Sequence, residues 1–285
     1  MSPKDGAGRP GVKLCLRLLF PDKFPMIFGL FKVDPRMVEL VIYMTLADLR
    51  AEASKTYINY LWWVVDPILS MMVFYVVFGL LFKRTEPDYV SFLLVGLVAW
   101  TWYSRSLSHA SNSILGGKSL MNQVDMPKLV FPVVTLLTDF TKFWVVLMVL
   151  LLFTWVADHG IGIAYAALPL VILTQFLLCA ALALLLAAAV PWLPDLKLLV
   201  DHLLHLQMFL SGVFFAAASI PEPYRFWFYL NPMAGLIEDY RAILLEGLWP
   251  HWERLGAIAG LSLLVLILGV WLLRRLDRVY PRLVR

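Results

Sequence analysis

IAYAALPLVILTQFLLCAALALLLAAAV, residues 163–190, is a run of 28 residues without one charged side chain. A helix rises about 1.5 Å per residue, so ~20 apolar residues already cover the hydrocarbon core of a bilayer. A soluble helix of that length would show an apolar stripe against a polar face, and this one does not. Pro191 and Pro194 end the run. The rest of the chain has the same character, with 61% hydrophobic and 15% charged residues in 285. Soluble domains carry roughly 45–50% and about 25%. The apolar residues come in long blocks that lipid must cover, and backbone in lipid must be helical to pair its own polar groups. The sequence predicts an all-α integral membrane protein.

Working outward, spans are predicted at 62–82, 89–115, 129–157, 163–190, 196–218 and 255–273, with no secretory signal ahead of them. Residues 1–35 form a Gly- and Pro-containing arm. Residues 36–61 are an amphipathic interface helix, with Met37, Leu40, Val41 and Met44 on one face. The second span turns polar after Tyr103, through Ser104, Arg105, Ser106, Ser108, His109 and Ser111, so that half is expected to face protein or water. Residues 116–128 make a polar loop. Residues 220–250 are too apolar for a loop and too polar for a span. Two short helices broken at Asn231-Pro232 and dipping back as a re-entrant outer hairpin account for them.

Charge sets the sidedness. Nine Lys or Arg precede Trp62 and five follow Leu273, at Arg274, Arg275, Arg278, Arg282 and Arg285. Basic residues flanking spans mark the cytoplasm, so both termini, including the basic tail 274–285, are expected there and the span number is even. The basic residues border the membrane instead of forming one patch, which argues against nucleic-acid binding.

Chemical motifs are sparse. The nearest approach to a phosphate loop, Asn112-Ser-Ile-Leu-Gly-Gly-Lys-Ser119, has Asn112 where the motif needs Gly. His202 and His205 share a helix face without a Cys or Glu-x-x-His companion, so polar lining is preferred to metal. Asp139 and Lys142 are three apart and can pair within their span. Cys15 and Cys179 lie far apart and read as plain thiols. No catalytic arrangement stands out, and the chain does not read as an enzyme. Aromatic side chains are 14% of the chain. Those inside spans, Phe74, Tyr75, Phe78, Trp100, Trp102 and Tyr103, are either packing or the wall of a conduit on which sugar faces slide. Asp66, beside Pro67 near the start of the first span, is either a kink near the headgroups or the point where a polar substrate head enters.

Three stretches resemble the permease subunit of type-2 ABC exporters, in the branch that exports bacterial polysaccharides. Ala47-Asp-Leu-Arg-Ala-Glu-Ala-Ser-Lys-Thr-Tyr-Ile-Asn-Tyr-Leu-Trp-Trp-Val-Val-Asp-Pro67 is similar to the family's interface helix running into its first span. Asn122-Gln-Val-Asp-Met-Pro-Lys-Leu-Val-Phe-Pro132 is similar to its cytoplasmic loop, and Tyr229-Leu-Asn-Pro-Met-Ala-Gly235 to its outer Asn-Pro motif. Glu52 and Ala53 stand where the family has more basic residues. The resemblance covers residues 38–280. It implies a homodimer in the bacterial inner membrane with two cytoplasmic ATPase subunits. ATP and Mg would be used by the ATPase, with no cofactor bound by this chain. It also implies a lipid-linked glycan substrate such as O-antigen, capsule or a teichoic-type polymer. Under that reading Gln123, Asp125 and Lys128 couple to the ATPase, and Asn231 and Pro232 form an outer gate. The alternatives are a lipid or drug exporter of the same fold, or a membrane-bound glycan or lipid transferase, for which Asp158-His159 is a weak candidate.

Overall fold

The computed structural model describes residues 35–54, 61–74, 76–77, 89–121, 123–124, 126–157, 162–277 and 279–280. The regular elements among them are helical. They are α1 (Pro35–Ala53), α2 (Trp62–Phe74), α3 (Tyr89–Gly116), α4 (Lys118–Met121), α5 (Val130–Val156), α6 (Leu168–Ala189), α7 (Leu196–Leu210), α8 (Glu222–Tyr229), α9 (Pro232–Leu244) and α10 (Trp252–Leu276). Short 3-10 turns at Ile163–Ala167 and Ala217–Ser219 precede α6 and α8. The chain divides between Leu40 and Val41 into two units. The described part of the first is the opening of α1; the packing below belongs to the second.

Three helical stretches are long and apolar enough to cross a membrane by length and composition: Val130–Val156, Ile163–Ala189 and Trp252–Leu276. Helix α3 has 28 residues but turns polar in its second half, as the run from Ser104 to Ser113 requires. Helix α2 is described to Phe74, and the remainder of the 62–82 span lies outside the described residues, apart from 76–77. The fifth predicted span differs from expectation. Its helix stops at Leu210, after 15 residues, instead of continuing to 218. Gly212 takes φ +71°, a left-handed conformation that a side chain resists. Ser211 turns its hydroxyl back onto the Gln207 carbonyl at 2.6 Å. The chain then runs irregularly to Ala216.

Helix α6 is the centre, packed along α10 and against α3. Ala180, Ala181, Ala183, Ala187 and Ala188 are buried in it. Small residues let helix backbones approach where lipid supplies no hydrophobic drive. On α10, a side chain at Gly269 would place its first carbon 3.1 Å from Leu184 Cβ. Gln175 of α6 donates to the Ala99 carbonyl of α3 at 2.8 Å. Beyond α10, buried Tyr280 donates to the Ala188 carbonyl at 3.2 Å, and burial pushes its hydroxyl up to about 12, so it remains a donor at neutral pH.

The broken α7 leaves backbone carbonyls that need partners. Arg241 of α9, 6% exposed, supplies them. Its Nη1 donates to the Gly212 carbonyl at 2.7 Å, its Nη2 to Val213 at 2.8 Å and its Nε to Phe92 at 3.2 Å. The guanidinium lies 3.3 Å from the centre of the Phe92 ring. Gly96 makes the room, since a Cβ there would sit 2.6 Å from Arg241 Nη2. One side chain therefore joins α9, the start of α3 and the unwound end of α7.

Arg241→Leu leaves the Gly212 and Val213 carbonyls unpaired, at about 1–3 kcal/mol each. We expect the variant, purified in detergent, to lose at least about 2 kcal/mol of stability, read as a lower melting temperature. Arg241→Lys should fall between, because an ammonium keeps the charge but not the planar fork. An unchanged melting temperature for Arg241→Leu would show that the fork is dispensable.

Candidate functional sites

The Asn231-Pro232 break lies where two helices meet end to end. Asn231 caps α9, its Oδ1 accepting from the Met233 amide at 3.2 Å, and Pro232 opens the helix where no donor is missed. The same Oδ1 accepts from Gln207 Nε2 at 2.9 Å, and Asn231 Nδ2 donates to Ser211 Oγ at 2.7 Å. Gln207 Oε1 in turn accepts from the Tyr103 hydroxyl at 3.4 Å. The knot joins α3, α7 and α9. Beside it opens a groove of about 620 Å³ lined by Phe215, Tyr224, Trp227 and Phe228, with Gln207 and Asn231 also on its wall.

A second staple holds α9 to the start of α10. Arg254 pairs with Glu238 and Asp239, both at 2.7 Å, and Tyr229 donates to Glu238 at 3.1 Å. Gly235 leaves space for the Arg254 stem, because a Cβ there would lie 2.8 Å from Arg254 Cδ.

The polar half of α3 is turned onto protein on two sides. Ser108 donates to Asp201 of α7 at 2.6 Å, and Asp201 pairs with Lys197 at 2.9 Å. On the other side His109 Nδ1 lies 2.9 and 3.1 Å from the two oxygens of Asp139 on α5. Asp139 and Lys142 pair at 3.5 Å, and Lys142 also pairs with Glu52 of α1. His202 and His205 are exposed on α7, where His205 Nδ1 sits 2.8 Å from the Asp201 carbonyl of its own helix.

At the opposite end of the bundle from α9, the 116–128 loop is anchored on the last helix. The Lys128 amide donates to Asp277 at 2.7 Å and its ammonium approaches the same carboxylate at 4.0 Å. Gly117 packs against the Phe131 ring with no room for a side chain. Lys128 is buried, whereas Gln123 and Val124 are exposed. Lys128 is thus placed as an anchor of the loop, not as a surface contact. A cavity of about 330 Å³ separates the loop from α1, lined by Met44, Asp48, Gly116, Gln123 and Phe131 among others.

The aromatic candidates on α3 are packed inside the protomer. Trp100, Trp102 and Tyr103 are each at most 4% exposed. Trp102 stacks on Phe143 at 4.0 Å, and Trp100 meets Tyr103 at 5.3 Å. Their placement gives no support to the expectation that they line a conduit. Instead, Tyr224, Phe226 and Trp227 of α8 present their rings outward. Asp66, Pro67 and Phe74 belong to α2, but their side chains lie outside the described residues, as do Tyr75, Phe78 and Asp125 altogether. Sequence reasoning missed Arg241, Gln207 and Glu52 as linking residues. Arg241 carried a signal, an arginine followed by the apolar run Ala242-Ile243-Leu244-Leu245. Glu52 did not, since its partner is 90 positions away in the chain.

Comparison with known proteins falls on the same segments. The family model described as "ABC-2 type transporter" matches residues 44–245. An O-antigen export system permease protein RfbA of Myxococcus xanthus is 28% identical over 237 residues, covering 80% of this chain and 88% of its own. One of that name from Klebsiella pneumoniae is 21% identical over 242 residues, covering 85% and 93%. The polysialic acid transport protein KpsM of Escherichia coli is 25% identical over 249 residues, covering 86% and 95%. The family match runs from α1 through the Asn231 knot and Arg241 to the end of α9, and the chain is a multi-pass membrane protein of the ABC-2 type transporter family, similar to permeases of polysaccharide export systems.

Proposed function

We propose that this chain is the membrane-spanning subunit of an ATP-driven exporter that moves a lipid-linked polysaccharide across the bacterial inner membrane. The observation that carries this is similarity over at least 80% of the chain to permeases named for O-antigen and polysialic acid export. The energy comes from a separate cytoplasmic ATPase, two copies serving a homodimer of the permease. In this reading the chain has six spans and cytoplasmic termini, and α8 and α9 form the re-entrant outer hairpin. The bundle geometry supports that sidedness, because the 116–128 loop and the Asp277 end of α10 meet at one end, whereas α9 meets the starts of α3 and α10 at the other. Asp66 is the proposed point where the substrate head enters, and Trp100, Trp102 and Tyr103 support the wall from behind instead of forming it.

The overall reading is tested by deleting the gene in its host. Surface glycan should disappear and reappear on complementation. Unchanged surface glycan together with new sensitivity to a lipophilic drug would favour the alternative exporter.

The Asn231 knot is the proposed outer gate. Asn231→Ala removes the cap and the bonds to Ser211 and Gln207, and loss of such a cap alone costs about 0.5–2 kcal/mol. The expected outcome is normal membrane insertion with a raised leak of a small solute from proteoliposomes and reduced glycan export. Wild-type leak and export would remove the gate role.

The 116–128 loop is the proposed ATPase contact, at Gln123, which is exposed, and at Asp125. Cysteine at position 123 should crosslink to the co-purified ATPase, and cysteine at position 128 should not, because Lys128 is buried against Asp277. Crosslinking from 128 but not from 123 would reverse that assignment.

A further inference from the structure

Four charged or titratable side chains from three helices meet inside the bundle. The Glu52 carboxylate, on the last turn of α1, contacts the Lys142 ammonium of α5. Lys142 is 3.5 Å from Asp139 on its own helix, and its ammonium lies 5.9 Å from the centre of the Trp63 ring of α2. Asp139 holds His109 of α3 through both carboxylate oxygens, at 2.9 and 3.1 Å. The two central side chains are buried, Asp139 at 3% and Lys142 at 9% exposed, whereas Glu52 and His109 at the ends are about half exposed, at 46% and 49%. Arg105 lines the same small cavity with Trp63, Trp102 and Asp139.

Lys142 has one counter-ion three residues away on α5, which also holds His109, and Glu52 gives the ammonium a second from another helix. What Glu52 adds is a link to α1. The central pair, Asp139 and Lys142, is buried, and charges removed from water attract strongly. Displacement of α1 therefore acts on Lys142, and through Asp139 and His109 on α3.

We infer that Glu52, Lys142, Asp139 and His109 form a tie that transmits movement of the interface helix α1 into α3 and α5. Glu52 is its positioning residue at the cytoplasmic end. This rests on the proposal that the chain is driven by a separate ATPase. It adds a second route from the ATPase side, distinct from the 116–128 loop.

The test uses the permease reconstituted with its ATPase, comparing wild type with Glu52→Gln, which removes the α1 arm and leaves Asp139–Lys142 intact. Glu52→Gln should keep its melting temperature and ATPase rate but export about tenfold less glycan per ATP, a typical size for coupling between two sites. Glu52→Asp should recover most of the loss, and Glu52→Gln combined with Lys142→Gln should be no worse than Lys142→Gln alone. Wild-type export per ATP in Glu52→Gln overturns the tie. So does a loss that only follows a lower melting temperature and that Glu52→Asp does not repair. Spin labels at positions 50 on α1 and 112 on α3 read the tie without any glycan. Their separation should stay constant through the ATP cycle in wild type and broaden in Glu52→Gln; identical distributions overturn it. Failure of the wild-type complex to export glycan, with the label result intact, counts against the proposed cargo and not against the tie.

Discussion

The architecture depends on one buried cation. Helix α7 breaks at Ser211, and a broken helix in an apolar surrounding exposes carbonyls that water cannot reach. Arg241 answers the Gly212 and Val213 carbonyls and one at Phe92 with a single planar fork. An arginine is suited to this, since it offers five donors in fixed directions and keeps its charge. The break also needs two glycines: Gly212 for the left-handed turn, and Gly96 to leave space for the guanidinium. Once α7 is ended in this way, Asn231 can reach Gln207 and Ser211, and α9 can pack along α3.

The remaining polar groups are arranged at two levels. At one end, amides, hydroxyls and the Arg254 pairs hold short helices together with many modest bonds. Towards the other end, Glu52, Lys142, Asp139 and His109 link α1, α5 and α3, and Asp201 links α7 to α3. Neutral hydrogen bonds are worth about 1 kcal/mol net and can be exchanged singly. Both ends also hold buried charges: Asp239 pairs with Arg254 at one, and Asp139 with Lys142 at the other.

The aromatic residues divide in a similar way. Those on α3 are buried, Trp102 against Phe140 and Phe143 of α5 and Trp100 against Tyr103, so their area stabilises the protomer. Those on α8 stand outward beside a groove with amides on its wall. Composition alone does not separate the two groups, because a tryptophan in a span is apolar whichever neighbour it meets.

The sequence by itself determined the class of the protein. Uncharged runs longer than a bilayer's thickness leave helices in lipid as the only solution, and the bounds of α3, α5 and α6 follow from where those runs meet Pro, Gly and polar residues. It also placed the Asn231-Pro232 break, because proline restricts the residue before it and opens a helix well. Asp139 and Lys142 could be paired from their spacing of three on one helix. The early end of α7 was not legible, since Gly212 sits in a run whose apolar character continues to Ala218. Nor were the bonds from Arg241 to Gly212, Gln207 to Asn231, or Glu52 to Lys142. Each joins positions separated by 24 to 90 residues, and hydropathy carries no record of which helix faces which. Only packing decided those partners, because a buried polar group takes whatever complementary atom the close approach of two backbones brings within reach.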